Sequence, residues 1–197
     1  LNNSFTTKEN TLGIIYVVRD PRDVVLSMCN HYNYTIEKSI DRLFKKDFRI
    51  LWNDRANLYE KKHPPVTLIS SWENHFMSWN KYVFDCPRLI IKFEDLVYKK
   101  KETIEKIIDF FINFNFKFSN LDRKIENMIT YSDFNHLKET EKTIGFQEAV
   151  GNNAFFNKGT KDQWMDMLSN EQILRIEKTY YHLLKKLDYK IKLYKNT

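Results

Sequence analysis

A chain of 197 residues, 42% hydrophobic and 15% aromatic, is long enough for one α/β domain with a core and too short for two comfortable ones. Its net charge of +6 favours an anionic partner, whether a nucleotide, a sulfated or phosphorylated substrate or nucleic acid, although coding bias toward Lys, Asn and Ile explains the charge equally well. Two cysteines outside any Cys/His cluster argue against a disulfide scaffold or zinc site, and the longest apolar run, Leu12–Val18, is far short of a membrane span, so a cytoplasmic protein is the default expectation.

Leu1 is not an ordinary initiator, and only a few polar residues separate it from what reads as a central strand. The chain therefore reads as the latter part of something longer, for which a truncated reading, a fragment and an unusual start codon are all open explanations. Ile14–Val18, behind Gly13, has the β-branched and aromatic content of a fully buried strand in a parallel sheet. Asp20 offers an N-cap carboxylate and Pro21 a first helical residue, so the strand is expected to break directly into a helix. Arg19 then stands at the carboxyl end of a strand, the edge where open α/β sheets place their ligands.

Helical spacing of Ile, Leu, Phe and Lys predicts a helical excursion over Thr35–Asp54, and His63-Pro64-Pro65 interrupts it. Ser70 with Glu73 forms a capping-box signature for a helix carrying Trp72, Phe76, Trp79 and Val83, ended by Asp85-Cys86-Pro87. Arg88–Phe93 reads as a second buried strand closed by Glu94-Asp95-Leu96, and Glu102–Phe111 as an amphipathic helix. A short helix is expected over Ser119–Tyr131, with Leu121, Ile125 and Met128 on one face. Gly145–Gly159 holds three of the four glycines and is expected to form a long functional loop. Ser169 with Gln172 caps a final helix, on which Ile173, Ile176, Tyr180, Leu183, Leu184 and Leu187 keep helical period.

Three segments carry the chemistry. In Arg19…Ser27 a guanidinium offers phosphate a planar fork and a helix hydroxyl adds a donor; the alternative is that Arg19 pairs with an acid such as Asp23 and Ser27 is helix surface. In Ser132-Asp133-Phe134-x-x-Leu137-Lys138 the aromatic ring either stacks on a base or belongs to the core. In Phe155-Phe156-Asn157-Lys158-Gly159-Thr160-Lys161-Asp162-Gln163-Trp164, Lys158 supplies a cation, Gly159 lets backbone approach a phosphate, and Trp164 anchors the loop to the body.

Together these segments resemble the cytosolic-type sulfotransferases, which transfer a sulfuryl group from 3′-phosphoadenosine 5′-phosphosulfate (PAPS) to an acceptor, and the resemblance covers nearly the whole chain. It implies one partial domain over residues 1–197, in an α/β, P-loop NTPase-like three-layer architecture with a central parallel sheet, the N-terminal strand and phosphosulfate loop missing. It implies PAPS as donor co-substrate with no metal, a 3′-phosphate site at Arg19 and Ser27, an adenine-side segment at Ser132, Phe134 and Leu137, and a late phosphate loop at Asn157, Lys158 and Gly159. The Trp72 helix would be structural support, with His75 a surface or packing residue, and His31 either a helix-surface residue or one facing the acceptor pocket. The implied reaction is in-line displacement by a hydroxyl or amine of a small-molecule or glycan acceptor, with no nucleic acid and no membrane.

The departures are specific. Phe93 stands where better-known members carry a tyrosine that bonds the nucleotide, so a contact there is not a hydroxyl hydrogen bond. Asn157 stands where Arg is common, Asp162-Gln163 replaces Gly-Asp, and no dimer motif is recognisable after Trp164, which leaves the oligomeric state open. The Gly- and Lys-bearing loop and the catalytic histidine of the family are not visible. The base is expected upstream of Leu1, no catalytic residue is assigned here, and the isolated chain is expected to be inactive. The rival readings are a non-catalytic nucleotide- or nucleic-acid-binding module and a P-loop kinase, the latter lacking a visible Walker lysine and magnesium ligands.

Overall fold

The computed structural model describes residues 7–51, 66–82, 85–146, 154–156 and 159–194. Ile14–Val18 forms strand β1, and helix α1, Pro21–Tyr32, follows after two residues. Asp20 caps α1 through a side-chain oxygen that accepts the Arg22 N–H at 2.9 Å, and Pro21 opens the helix where a missing N–H costs nothing. Asn33, in the left-handed region at φ 52°, ends it. Thr35 caps α2, Ile36–Phe44.

The helical excursion expected over Thr35–Asp54 stops at Phe44. After a turn at Lys45–Phe48, which seats the Phe48 ring in the interior, Arg49–Leu51 extends as β2 and pairs antiparallel with β3, Val66–Leu68. Register and turn, instead of helical period, decide this stretch; residues 52–54 and His63-Pro64-Pro65 lie outside the described residues.

The next cap is shifted by one residue from expectation. Ser71 accepts the Asn74 N–H at the start of α3, Trp72–Met77, whereas Ser70 sits at φ 66° and donates its hydroxyl to the Lys46 carbonyl at 2.7 Å. A helix entry needs an extended residue at the cap, and Ser71 at φ −73°, ψ 158° supplies it. α3 runs on as a π-helical turn over Ser78–Tyr82, and Val83 lies outside the described residues.

Strand β4, Arg88–Lys92, pairs in parallel with β1, Ile14 opposite Arg88 and Val18 opposite Lys92. Phe93 is not its last residue, as the sequence suggested, but the first of helix α4, Phe93–Tyr98, which contains Glu94-Asp95-Leu96. The helices α5, Lys100–Ile112, α6, Leu121–Tyr131, α7, Phe134–Ile144, α8, Trp164–Met167, and α9, Asn170–Lys186, complete the described elements. On α6 the packed face holds Leu121, Ile125 and Ile129 against Ile104 and Ile108, and Met128 is exposed. The expected capping box is present at α9: Ser169 accepts the Gln172 N–H and Gln172 accepts the Ser169 N–H.

α9 is the central brace. Ile173, Ile176, Tyr180 and Leu184 meet Val25 of α1, Ile40 and Leu43 of α2, and Trp164, while Leu183 and Leu187 meet Val18 and Phe76. Each fully buried aliphatic side chain contributes about 1.5–3 kcal/mol, so this helix locks the β1–α1 junction to the body. β1 is not buried on both faces. Ile14, Tyr16 and Val18 face the packed side, while Ile15 and Val17, with Ile90 of β4, are 36%, 48% and 36% exposed. Beside that open face, Leu12, Gly13, Phe110 and Phe114 help line an apolar hollow of about 290 Å³. Among the described residues no helix is long and apolar enough to cross a membrane.

Candidate functional site

The β1–α1 junction is fixed from both flanks. The Trp72 indole Nε1 donates to the Arg19 carbonyl at 3.1 Å, and the Asp20 N–H donates to the Glu94 carboxylate at 3.0 Å. The other Glu94 oxygen accepts from the Tyr189 hydroxyl at 3.1 Å, a phenol whose pKa is pushed up first by burial and then by Glu94, so it stays a donor. The Trp72 helix and the Glu94 turn are thus the scaffold of Arg19.

Beneath the junction lies a buried charge cluster. Arg22, with no exposed surface, forks onto both oxygens of Asp20 at 2.9 and 2.6 Å, and its Nη1 reaches Glu177 at 2.6 Å. Its guanidinium lies 3.7 Å over the Trp164 ring. Glu177 also accepts the N–H groups of Lys192, Leu193 and Tyr194 at 2.8 Å, so its charge is matched by fixed donors.

Arg19 differs from Arg22. Its guanidinium rests 4.5 Å from the Phe93 ring centroid, and its one hydrogen bond among the described residues is a long 3.3 Å contact from Nη2 to the Thr160 carbonyl. Its Nε is buried with no partner among the described residues. A planar cation is therefore held by an aromatic face and one carbonyl, with donors to spare, at the carboxyl end of a strand.

The turn that supplies Thr160 is pinned by Asp23 of α1. One carboxylate oxygen accepts the Asp162 N–H at 2.8 Å and the other the Trp164 N–H at 3.2 Å. Burial raises the Asp23 carboxyl to about 6, against the lowering effect of Arg19. Gly159 stands at φ 61° against Phe134 of α7, and a Cβ there would run into the Phe134 ring. Further along, both oxygens of Glu141 accept N–H groups, from Phe155 at 2.6 Å and Phe156 at 2.9 Å, and the Phe155 and Phe156 rings meet Phe146.

Of the residues singled out from sequence, Arg19, Phe93, Phe134 and Gly159 fall into one run of contacts through Thr160. Ser27 is exposed on α1 and Leu137 half-buried on α7. Ser132 ends α6, its hydroxyl donating to the Met128 carbonyl and its carbonyl accepting from Lys100 Nζ at 2.7 Å. Asn157 and Lys158 lie outside the described residues. His75 shares a hydrogen bond with the Tyr16 hydroxyl at 2.7 Å, and burial lowers its pKa. His31 packs edge-on to Phe155. Sequence reasoning missed the Arg22–Glu177 pair, the Asp23 clamp and the Glu141 clamp. Asp23 and Glu94 were visible within motifs, whereas nothing local marks Glu141 or Glu177.

A parallel strand pair whose first strand breaks into a capped helix, beside an arginine and a glycine turn, defines an α/β fold with a cationic side chain at the strand edge. A sequence model of the sulfotransferase domain matches residues 3–188, and the chain belongs to that family. It is similar to the amine sulfotransferase of Oryctolagus cuniculus, 26% identical over 185 residues that make up 90% of this chain and 56% of that protein. It is also similar to sulfotransferase 1A1 of Rattus norvegicus, 24% identical over 93% of this chain and 60% of that one. Among solved structures, mouse sulfotransferase SULT7A1 complexed with PAP superposes at a TM-score of 0.65 with 18% identity, over 92% of this chain and 61% of that chain. Retinol dehydratase in complex with retinol and PAP superposes at 0.58 with 20% identity, over 90% and 48% respectively. The chain thus spans about half to three fifths of the length of these relatives.

Proposed function

We propose that this chain, as one partial sulfotransferase domain, holds the 3′-phosphate and adenine end of PAPS in an enzyme that sulfates a hydroxyl or amine of a small-molecule or glycan acceptor. The observation that carries this reading is Arg19: a strand-end guanidinium, faced by Phe93, whose buried Nε lacks a partner among the described residues. Such a group costs free energy until an acceptor reaches it, and phosphate is the acceptor its fork fits. When bound, PAPS supplies the sulfuryl group.

The chain's own residues bind and orient. Arg19 takes the phosphate; Ser27, Ser132, Asn157 and Lys158 are assigned as further polar contacts. Phe134 and Leu137 form the adenine side, with the Gly159 turn bringing its backbone against Phe134. Phe93 takes part through its ring, under Arg19. The base is not assigned within this chain, and the PAP bound in two similar solved structures supports the choice of nucleotide.

Calorimetry with adenosine 3′,5′-bisphosphate tests the assignment. Arg19→Ala is expected to weaken binding by at least ~1.5 kcal/mol, about tenfold, the loss of a charge-assisted contact. Equal affinity in the variant and the parent chain removes Arg19 from the site.

A further inference from the structure

We propose that Asp23 is a positioning residue of the donor site: its carboxylate is the latch that holds the Gly159–Trp164 turn against Arg19 and Phe134, and its protonation releases that turn. The inference rests on the donor-site reading for its consequence, and on geometry for its substance. Asp23 is 1% exposed on the first turn of α1, and its two oxygens receive two amides of one turn, from Asp162 at 2.8 Å and Trp164 at 3.2 Å. Asp162 turns the chain through the left-handed region at φ 61°, which Asp tolerates better than most side chains, and its N–H is the one Asp23 receives. The same turn offers the Thr160 carbonyl to Arg19 and the Gly159 backbone to Phe134, so whatever fixes the turn fixes both.

The surroundings make the latch sensitive to its proton. Around Asp23 stand Arg19, which favours the carboxylate, and Asp20, which disfavours it, while Arg22 is already matched by Asp20 and Glu177. The packed turn presents backbone amides, and its charged side chains, Lys161 and Asp162, are exposed. Burial outweighs these neighbours and carries the carboxyl to about 6. Protonation removes the charge that strengthens both bonds and turns one oxygen into a hydroxyl, a poor acceptor, so the hold on the two amides weakens.

Two measurements on the full chain decide the matter. In the free protein, the backbone amide resonances of Asp162 and Trp164 are expected to move together between pH 5 and 7.5 with a midpoint near 6; resonances that stay still over that range overturn the latch, whatever any variant does. At pH 7.5, Asp23→Asn is expected to weaken adenosine 3′,5′-bisphosphate binding about tenfold while melting no earlier than the parent chain. A carboxylate that merely repels the ligand's charge gives the opposite sign, tighter binding in Asp23→Asn, and that result or an unchanged affinity refutes the proposal. Should the parent chain bind no bisphosphate, the donor-site reading fails while the amide titration still decides the latch; should the variant not fold, that titration decides alone.

Discussion

The two arginines three residues apart show how environment divides one side chain into two uses. Arg22 has every strong direction filled, by Asp20, Glu177 and the Trp164 face, and stands as part of the frame. Arg19 has a ring, a long carbonyl contact and an Nε without a partner among the described residues, and keeps donors to spare. Phe93 in place of the family's usual tyrosine keeps the ring under Arg19 and forgoes a hydroxyl. Gly159 is required twice over, by its positive φ and by the Phe134 ring where a Cβ would go. Gly159→Ala is therefore expected to destabilise the protein by at least ~1 kcal/mol in thermal unfolding, more than the entropy alanine would otherwise return. A shortened ring at Phe134 should recover part of that loss, because it removes the steric component and leaves the backbone one.

At the scale of elements, caps explain both what the sequence disclosed and what it hid. Asp20-Pro21 and the Ser169/Gln172 box are local signals that need no tertiary help, and the helices they open lie where expected. Ser70 and Ser71 are adjacent candidates, and contacts from Ser70 to the Lys46 and Phe48 carbonyls turn Ser70 away and leave the cap to Ser71. Ser71→Ala should cost ~1 kcal/mol in urea unfolding, and Ser70→Ala less, since its hydroxyl satisfies a turn and not a helix end. Likewise the strand at Arg49–Leu51 depends on a partner, Val66–Leu68, distant in sequence, so helical spacing alone misread it. That Arg19, Phe134 and Gly159 deserve notice was legible because each carries its chemistry in its own residue type, and the fold brings them into one run of contacts. The clamping roles of Asp23 and Glu141 were not, because a carboxylate that receives backbone amides from a remote turn looks in sequence like any other acid.

For the whole molecule, the Asp23 carboxyl makes stability depend on pH. Its folded value of about 6 lies above the ordinary 3.8, so the folded chain holds this proton more tightly than the unfolded one. The stability it contributes is full below the unfolded value and is lost as pH rises through about 6. Accordingly, Asp23→Asn should gain in melting temperature relative to the parent chain as pH is raised from 4 to 7, with a flat difference above that range; a difference that shrinks over the same interval would contradict the burial of this charge. A site that keeps a carboxylate ionised at a cost to the fold is one where position outranks stability.

Glu177 draws the chain's two distant ends into one circuit. Its carboxylate receives Arg22 from the first helix and three successive amides from Lys192–Tyr194, so the carboxyl-terminal strand of backbone serves as the counter-donor of a charge set beside β1. A break anywhere between Leu187 and Lys192 would leave that carboxylate with a single partner in the interior, and the disturbance would surface some 170 positions earlier in the sequence, at the Asp20–Arg22 cap from which Arg19 is hung. The tail behaves as the return wire of the β1–α1 junction, and wear at one end is felt at the other.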